Sequence, residues 1–467
     1  MNEEFAMRSL LLAASALMLA APAHAASPTT DWQAKGRELL EKSINIPSVT
    51  TRPEEVKKYV AYLKGEFEKG GFSDIVVKDY AGTQALIVRW KATGTPKAKP
   101  MLLLGHMDVV DAKREDWPRD PFMMVEEDGY FYGRGTTDMK NGIVAITHAL
   151  LRLKAEGFQP KRDIIVFFSG DEETDGEGAR LASTDWRKLV DAEFALNADA
   201  GGGAFTKDGT ALGFGIQTSE KMFQSFTLTA RNPGGHSSRP RPDNAIYELA
   251  SALKKLEAHR FEPMLNETTR AYFQFRQKQE QGPLGDAMRR WLANEKDGAA
   301  ADLIEADPLE VAMTRTRCIA TRLEGGHADN ALPQTARALV NCRIFPGVDA
   351  RAVQAELQAA IGPAVTVEPH GSSTPSPPSP LRADIMKVFT SSIHKRHPGV
   401  DIVPQMSTGA TDGLFFRATG MPVYGVSGAW IISPEDERAH GKDERIPVKS
   451  FYEDLDHWHH MVRALAQ

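Results

Sequence analysis

Apolar positions recur along this chain in two rhythms, and the change of rhythm divides it. Val56, Tyr59, Val60, Leu63 and Phe67 fall at helical spacing and predict an amphipathic helix. Beyond it lie runs that are apolar at nearly every residue and bounded by turn formers, at 85–90, 101–104, 163–168 and 194–196. Such runs predict parallel strands covered on both faces. A helical stripe of Ile143, Ile146, Leu150 and Leu153 lies between two of them, the order of a βαβ unit. The expectation is an α/β fold whose mixed, mostly parallel sheet carries helices on both faces.

Near residue 218 the rhythm turns to alternation. Residues 223–230 place Phe226, Leu228 and Ala230 on one face of an antiparallel strand. Ile246, Leu249, Ala250 and Leu253 predict a helix capped by Asp243 or Asn244. Residues 270–312 are polar and helical in tone, as an insertion would be. Strands at 316–323 and 336–345 follow, then a helix over 353–361 ended by Gly362. This β-α-β-β-α-β-like order predicts a small α+β domain over 218–370, inserted into a larger one built from 26–217 and 371–467. Residues 371–380 are a proline-rich return linker. A strand at 421–426 and a closing helix with Phe451, Leu455, Trp458, Val462 and Leu465 complete the larger domain.

Composition narrows the function classes. Among 467 residues, 56 basic side chains face 62 acidic ones, a net charge of -6. That balance excludes a generally basic nucleic-acid binder. The one long apolar run, 10–21, is too short to span a bilayer and precedes Ala23-His24-Ala25, a cleavage pattern. Residues 1–25 are therefore expected to be a signal peptide, with translation starting at Met7 so that Arg8 makes its basic end. Export follows as an expectation, to a periplasm or beyond, with no membrane span after cleavage. Two cysteines exclude a disulfide scaffold and an all-cysteine zinc module. Cys318 and Cys342 are equidistant from Asn330, so a hairpin centred there sets them opposite each other, close enough for a disulfide.

The chemistry collects where strands end, which is where open parallel sheets bind ligands. The 101–104 run leads into Gly105-His106-Met107-Asp108, the 163–168 run into Asp171-Glu172-Glu173, and the 194–196 run into Asn197-Ala198-Asp199. Gly133-Arg134-Gly135-Thr136-Thr137-Asp138 delivers a further carboxylate just before a helix, and His440 lies on a late polar loop. Clustered carboxylates repel one another and need cations. Two histidines with several carboxylates suit zinc, with cobalt or manganese as substitutes. His106 and Asp108 share one face of an extended strand, so the Asp108 carboxylate is expected to accept the second ring N–H of His106. His457, His459 and His460 are expected on a solvated helix face, away from any metal.

Together these motifs resemble the M20 metallopeptidases, the aminoacylase/ArgE/DapE/carboxypeptidase G2 family, over essentially the whole mature chain. The resemblance implies a zinc-peptidase-like catalytic domain with an inserted ferredoxin-like lid and dimerisation domain. It implies two zinc ions, one held by His106 and Asp199, the other by Glu173 and His440, with Asp138 bridging them. Glu172 is then the general base and Asp108 the partner that orients His106. By the same likeness His236, in Gly234-Gly235-His236-Ser237-Ser238, stabilises the oxyanion from the partner subunit of a homodimer formed through the lid. Asn330 contacts substrate, Arg343 binds a substrate carboxylate, and Gly409 and Thr411 belong to a substrate-pocket turn.

Asn330-Ala331-Leu332-Pro333 departs from the family's usual Asn-Val-Ile-Pro, and the 270–312 stretch lengthens the lid. These features resemble the carboxypeptidase-S-like branch. Asp199, where other branches carry Glu, points to small peptides ahead of N-acyl amino acids as substrate. The alternative within the family is an N-acyl-amino-acid amidohydrolase. Outside it, the rival is a periplasmic solute-binding protein, which has no use for the spare Glu172 beside a metal ligand.

Overall fold

The computed structural model describes residues 31–307 and 310–467; the expected signal segment, 1–25, lies outside them. Its centre is an eight-stranded sheet in the order Asp74–Tyr80, Thr83–Trp90, Ile164–Ser169, Met101–His106, Phe194–Phe205, Val423–Ile432, Ala211–Glu220, Ile402–Ser407. Met101–His106 runs parallel to both its neighbours, and Val423–Ile432 runs parallel to Phe194–Phe205. Alternate residues of the apolar runs enter two separate cores. Leu86, Leu103, Val166 and Leu196 pack on one face beneath the helices Lys140–Ala155 and Val448–Leu465. Ile87, Leu102, Ile165 and Ala195 pack on the other, against Ala179, Val190 and Phe416. Burial on both faces is what a continuous apolar run reports.

Such a run does not report direction, and here the expectation for residues 85–90 fails. Thr83–Trp90 follows Asp74–Tyr80 through a two-residue turn and pairs antiparallel with it and with Ile164–Ser169. A tight hairpin can only return antiparallel.

Between Met222 and His370 lies a four-stranded antiparallel sheet in the order Arg317–Gly325, Thr335–Ile344, Met222–Arg231, Val365–His370. The helices Ala245–Ala258 and Ala350–Ile361 close a core of Phe226, Leu228, Val340, Leu249 and Leu357. Asn244, not Asp243, caps the first helix by accepting the Ile246 N–H. Cys318 pairs with Cys342 across the hairpin, and the two form a disulfide.

The polar insertion folds as three helices, Glu267–Gln279, Gly282–Ala293 and Gly298–Ile304, around Trp291, Phe273 and Met288. This cluster takes in Met406 of the edge strand Ile402–Ser407. The insertion therefore packs against the edge strand of the large sheet. Trp291 is fully buried, edge-on to Phe273 with ring centroids 5.1 Å apart. Trp291→Ala is expected to lower stability by about 3–5 kcal/mol in denaturant unfolding. Among the described residues no helix is long and apolar enough to cross a membrane.

Candidate active site

Three parallel strands bring their carboxyl ends together. His106 closes its strand beside Ser169, the Asp171-Glu172-Glu173 turn follows Ser169, and Asp199 lies on the strand across from them. Asp138 comes from the loop before Lys140–Ala155, and the Asp138–Met139 peptide is cis. Gly135 in that loop has φ +94°, and a Cβ there would lie 2.9 Å from the Lys140 side chain and 3.2 Å from Val109. Only glycine fits both constraints.

The Asp138 carboxylate sits between two imidazoles. Its Oδ1 is 3.2 Å from His106 Nε2, and its Oδ2 is 3.0 Å from His440 Nε2. His106 Nε2 also lies 3.4 Å from Asp199 Oδ1, and His440 Nε2 lies 3.0 Å from Glu173 Oε2. Donors bound tetrahedrally to zinc at about 2.0–2.1 Å are about 3.4 Å apart, so the four contacts within these two triplets, His106-Asp138-Asp199 and His440-Asp138-Glu173, are of ligand-to-ligand length. The two triplets share Asp138. Ligand atoms of His106, Asp138 and Glu173 also lie within 4.8 Å of one another. The residues present thus fit a divalent cation, with His106, Asp138 and Glu173 as a donor group.

Charge at the cluster is mutually dependent. Burial opposes protonation of His106, but the carboxylates of Asp199, Asp108 and Asp138 outweigh it and hold the imidazole well above its ordinary range. Hydrogen bonding to Asp138, with Glu173 nearby, lifts His440 to about 9. Burial opposes ionisation of Asp138, yet its bonds to both imidazoles hold it well below the carboxylate range. Burial pushes Glu172 up to about 10, helped by Asp199 and Asp412, and pushes Glu173 up to about 7, helped by Asp138.

Asp108 acts differently from expectation. The His106 ring Nδ1 lies 2.9 Å from the Asp108 backbone carbonyl, against 3.6 Å from the carboxylate. The carboxylate instead accepts the backbone N–H groups of Glu172 and Glu173, each at 3.1 Å. Two amides of one turn outbid the imidazole, so Asp108 orients the Glu pair with its side chain and His106 with its backbone.

A cleft of about 880 Å3 beside the cluster is lined by Glu172, Arg343, Gly409 and Thr411. Arg343 lies over the Phe223 ring at 5.7 Å, and the Thr411 N–H and hydroxyl both donate to buried Glu220. His236 and Asn330 are placed elsewhere. Gly235–His236 pairs with Ala331–Leu332, the Ser237 N–H donates to the Asn330 carbonyl, and both residues are exposed outside this cleft.

The supporting residues escaped sequence reasoning. Glu444 is fully buried and accepts from Arg134 at 2.6 Å, from the backbone N–H groups of Gly135, Thr137 and Asp138, and from the Thr137 hydroxyl. Arg134 in turn donates to the carbonyls of His440 and Gly441. The signal was a charged residue inside each of two ligand motifs. His457 is a correction: it is fully buried with its ring against the Val426 carbonyl, while His459 meets Glu156 and His460 meets Ser391 and Lys395. The three share no site.

The sequence profile of Peptidase family M20/M25/M40 matches residues 102–464. The chain belongs to this family. Members similar to it include the human N-fatty-acyl-amino acid synthase/hydrolase PM20D1, 30% identical over 89% of this chain and 84% of the relative. The probable carboxypeptidase S-like 2 of Dictyostelium discoideum is 27% identical over 88% of this chain and 79% of its own. Among solved structures, the M20 metallo-carboxypeptidase Sso-CP2 of Sulfolobus solfataricus shares the fold, with TM-score 0.67 and 19% identity over 92% of this chain and 98% of that one. As an M20 protein the chain is a hydrolase of the metallopeptidase and amidohydrolase type, acting on C–N bonds.

Proposed function

We propose that this M20 protein is an exported di-metal hydrolase that cleaves the amide bond of small peptides whose leaving amine carries a free carboxylate. The observation that carries the reading is the Asp138 carboxylate shared between the two imidazoles, with Glu172 beside it and unshared. His106 and Asp199 would hold one ion, Glu173 and His440 the other, and Asp138 both. The donor types favour zinc, with cobalt or manganese as substitutes. Two such ions supply electrophilic polarisation of the scissile carbonyl and lower the pKa of water in the site.

The residues of the chain do the rest. Glu172 takes the water's proton and hands it to the leaving amine. Arg343 pairs with the substrate carboxylate in the cleft, as guanidinium groups do through paired N–H donors. Gly409 and Thr411 line the same cleft, with Thr411 fixed by Glu220. His236 and Asn330, distant from the cluster within one chain, would serve the partner subunit of a homodimer joined through the 222–370 domain.

A second reading, hydrolysis of N-acyl amino acids, is favoured by the likeness to PM20D1, and it keeps the same carboxylate beside Arg343. Chelator-treated protein is expected to lose activity and regain it with about two zinc ions per chain. Dipeptides, end-blocked peptides and N-acyl amino acids assayed on the restored enzyme separate the readings. Full activity in metal-free protein, or turnover of amides lacking the carboxylate, contradicts them.

A further inference from the structure

Two recesses flank the cluster, and they differ in charge. The cleft holding Glu172 and Arg343 also carries Asp175, Glu177, Arg180 and Lys221. The second recess, about 550 Å3, opens on Asp199 and has, among the described residues, no other charged side chain in its lining. Its apolar walls are Tyr272, Val311 and Met313 of the insertion and Met406 of the edge strand, and the uncharged amides of Gln217 and Gln405 line it beside them. The turn from Ser407 to Thr411 separates the two: Ser407 and Thr408 face one recess, Gly409 and Ala410 the other, and Thr411 both.

The second recess is built, not incidental. Met313 and Met406 belong to the buried cluster of Phe273 and Trp291, so their wall is fixed from behind. The Tyr272 ring stands edge-on to Phe273 at 5.1 Å. Val311 remains 47% exposed, apolar surface left open. Asp199, the one charge among the described lining residues, lies 3.4 Å from His106 and is a candidate metal ligand, so a cation held there would offset that carboxylate. His106 Nε2 lies 4.0 Å from Glu172, which lines the charged cleft, and 3.4 Å from Asp199, which lines the second recess. A substrate with its amide at the cluster and its carboxylate at Arg343 has its other end free to enter the recess that Asp199 lines.

We infer that the insertion-walled recess receives the group on the carbonyl side of the scissile bond, and that this group is uncharged and aliphatic. The inference rests on the amide-hydrolase reading above and adds which surface selects the acyl side. The insertion is then a specificity element as well as a support for the edge strand.

The test uses the zinc-loaded full chain with two series: N-acetyl, N-butanoyl, N-hexanoyl and N-octanoyl phenylalanine, and Gly-Phe, Ala-Phe and Leu-Phe. In at least one series kcat/KM is expected to rise roughly fourfold per added methylene, the value of burying one. A rise among the N-acyl compounds assigns an acyl chain, and a rise among the dipeptides an apolar side chain. Val311→Trp, which fills the recess from an exposed position, should lower the long-to-short ratio of the responding series at least tenfold. Phe223→Trp, in the charged cleft, should shift that ratio less than twofold. A ratio that ignores Val311→Trp, or answers to Phe223→Trp instead, overturns the inference while leaving the hydrolase reading intact. Absence of hydrolysis in both series, with zinc bound, overturns the hydrolase reading and this inference with it.

Discussion

Glu172→Gln is expected to lower kcat by about 10^3-fold or more while metal content and KM stay close to those of the unaltered protein. Proton transfer by a positioned carboxylate contributes about 10^2–10^4 to rate, so a neutral amide in its place forfeits most of that range. The geometry separates Glu172 from its neighbour. Glu173 stands 3.0 Å from His440 Nε2, a ligand-to-ligand distance, whereas Glu172 reaches only to 4.0 Å from His106 and lines the cleft. Both backbone amides are held by one Asp108 carboxylate, so the turn is pinned and consecutive side chains diverge. Burial among like charges keeps Glu172 protonated in the cation-free cluster, and two cations would favour the carboxylate that a general base requires. Glu173→Gln is the contrast, with loss of bound metal as well as rate. The check is steady-state kinetics with metal analysis on the same samples. A Glu172→Gln protein with near-normal kcat would move the base elsewhere.

The candidate site was legible in the sequence to the extent that local pattern determines it. His106, Glu172, Glu173 and Asp199 follow apolar runs, and a run buried on both faces leaves its polar residues at the strand end, where the sheet opens. The parallel core strands and the alternating strands around Phe226 were legible for the same reason, since side-chain period reports burial. What escaped depends on how distant segments meet. The direction of Thr83–Trp90 is set by a two-residue turn, not by its apolar content. The docking of Trp291 and its helices onto Met406 joins segments more than a hundred residues apart. Spacing and family likeness both pair the Asp108 carboxylate with His106, but neither can say whether a carboxylate or its own carbonyl wins the contact when two amides compete for the carboxylate. Family likeness supplied the roles of His236 and Asn330, and a single chain leaves both far from the cluster.

Glu444→Gln is expected to cost about 3–5 kcal/mol of stability and to weaken metal binding about 10- to 100-fold, although Glu444 is not among the residues proposed to touch the metals. Arg134 and Glu444 are both buried, and the pair ties two loops 310 residues apart in the chain. One Glu444 oxygen accepts the N–H groups of Thr137 and Asp138, which positions the shared Asp138 carboxylate. Arg134 spends its other nitrogen on the carbonyls of His440 and Gly441, which positions the late histidine. Glutamine keeps the shape but removes the charge, so Arg134 is left buried without its counter-ion, and one amide hydrogen faces donors where an acceptor stood. That loss of the partner charge, more than the lost bond, carries the cost. Combining Glu444→Gln with Arg134→Met should destabilise by less than the two single changes added together, because the second removes the charge the first stranded. Denaturant unfolding and zinc titration of the three variants check this. Additive costs, or Glu444→Gln with unchanged zinc affinity, would mean that the two loops hold their ligands without this pair.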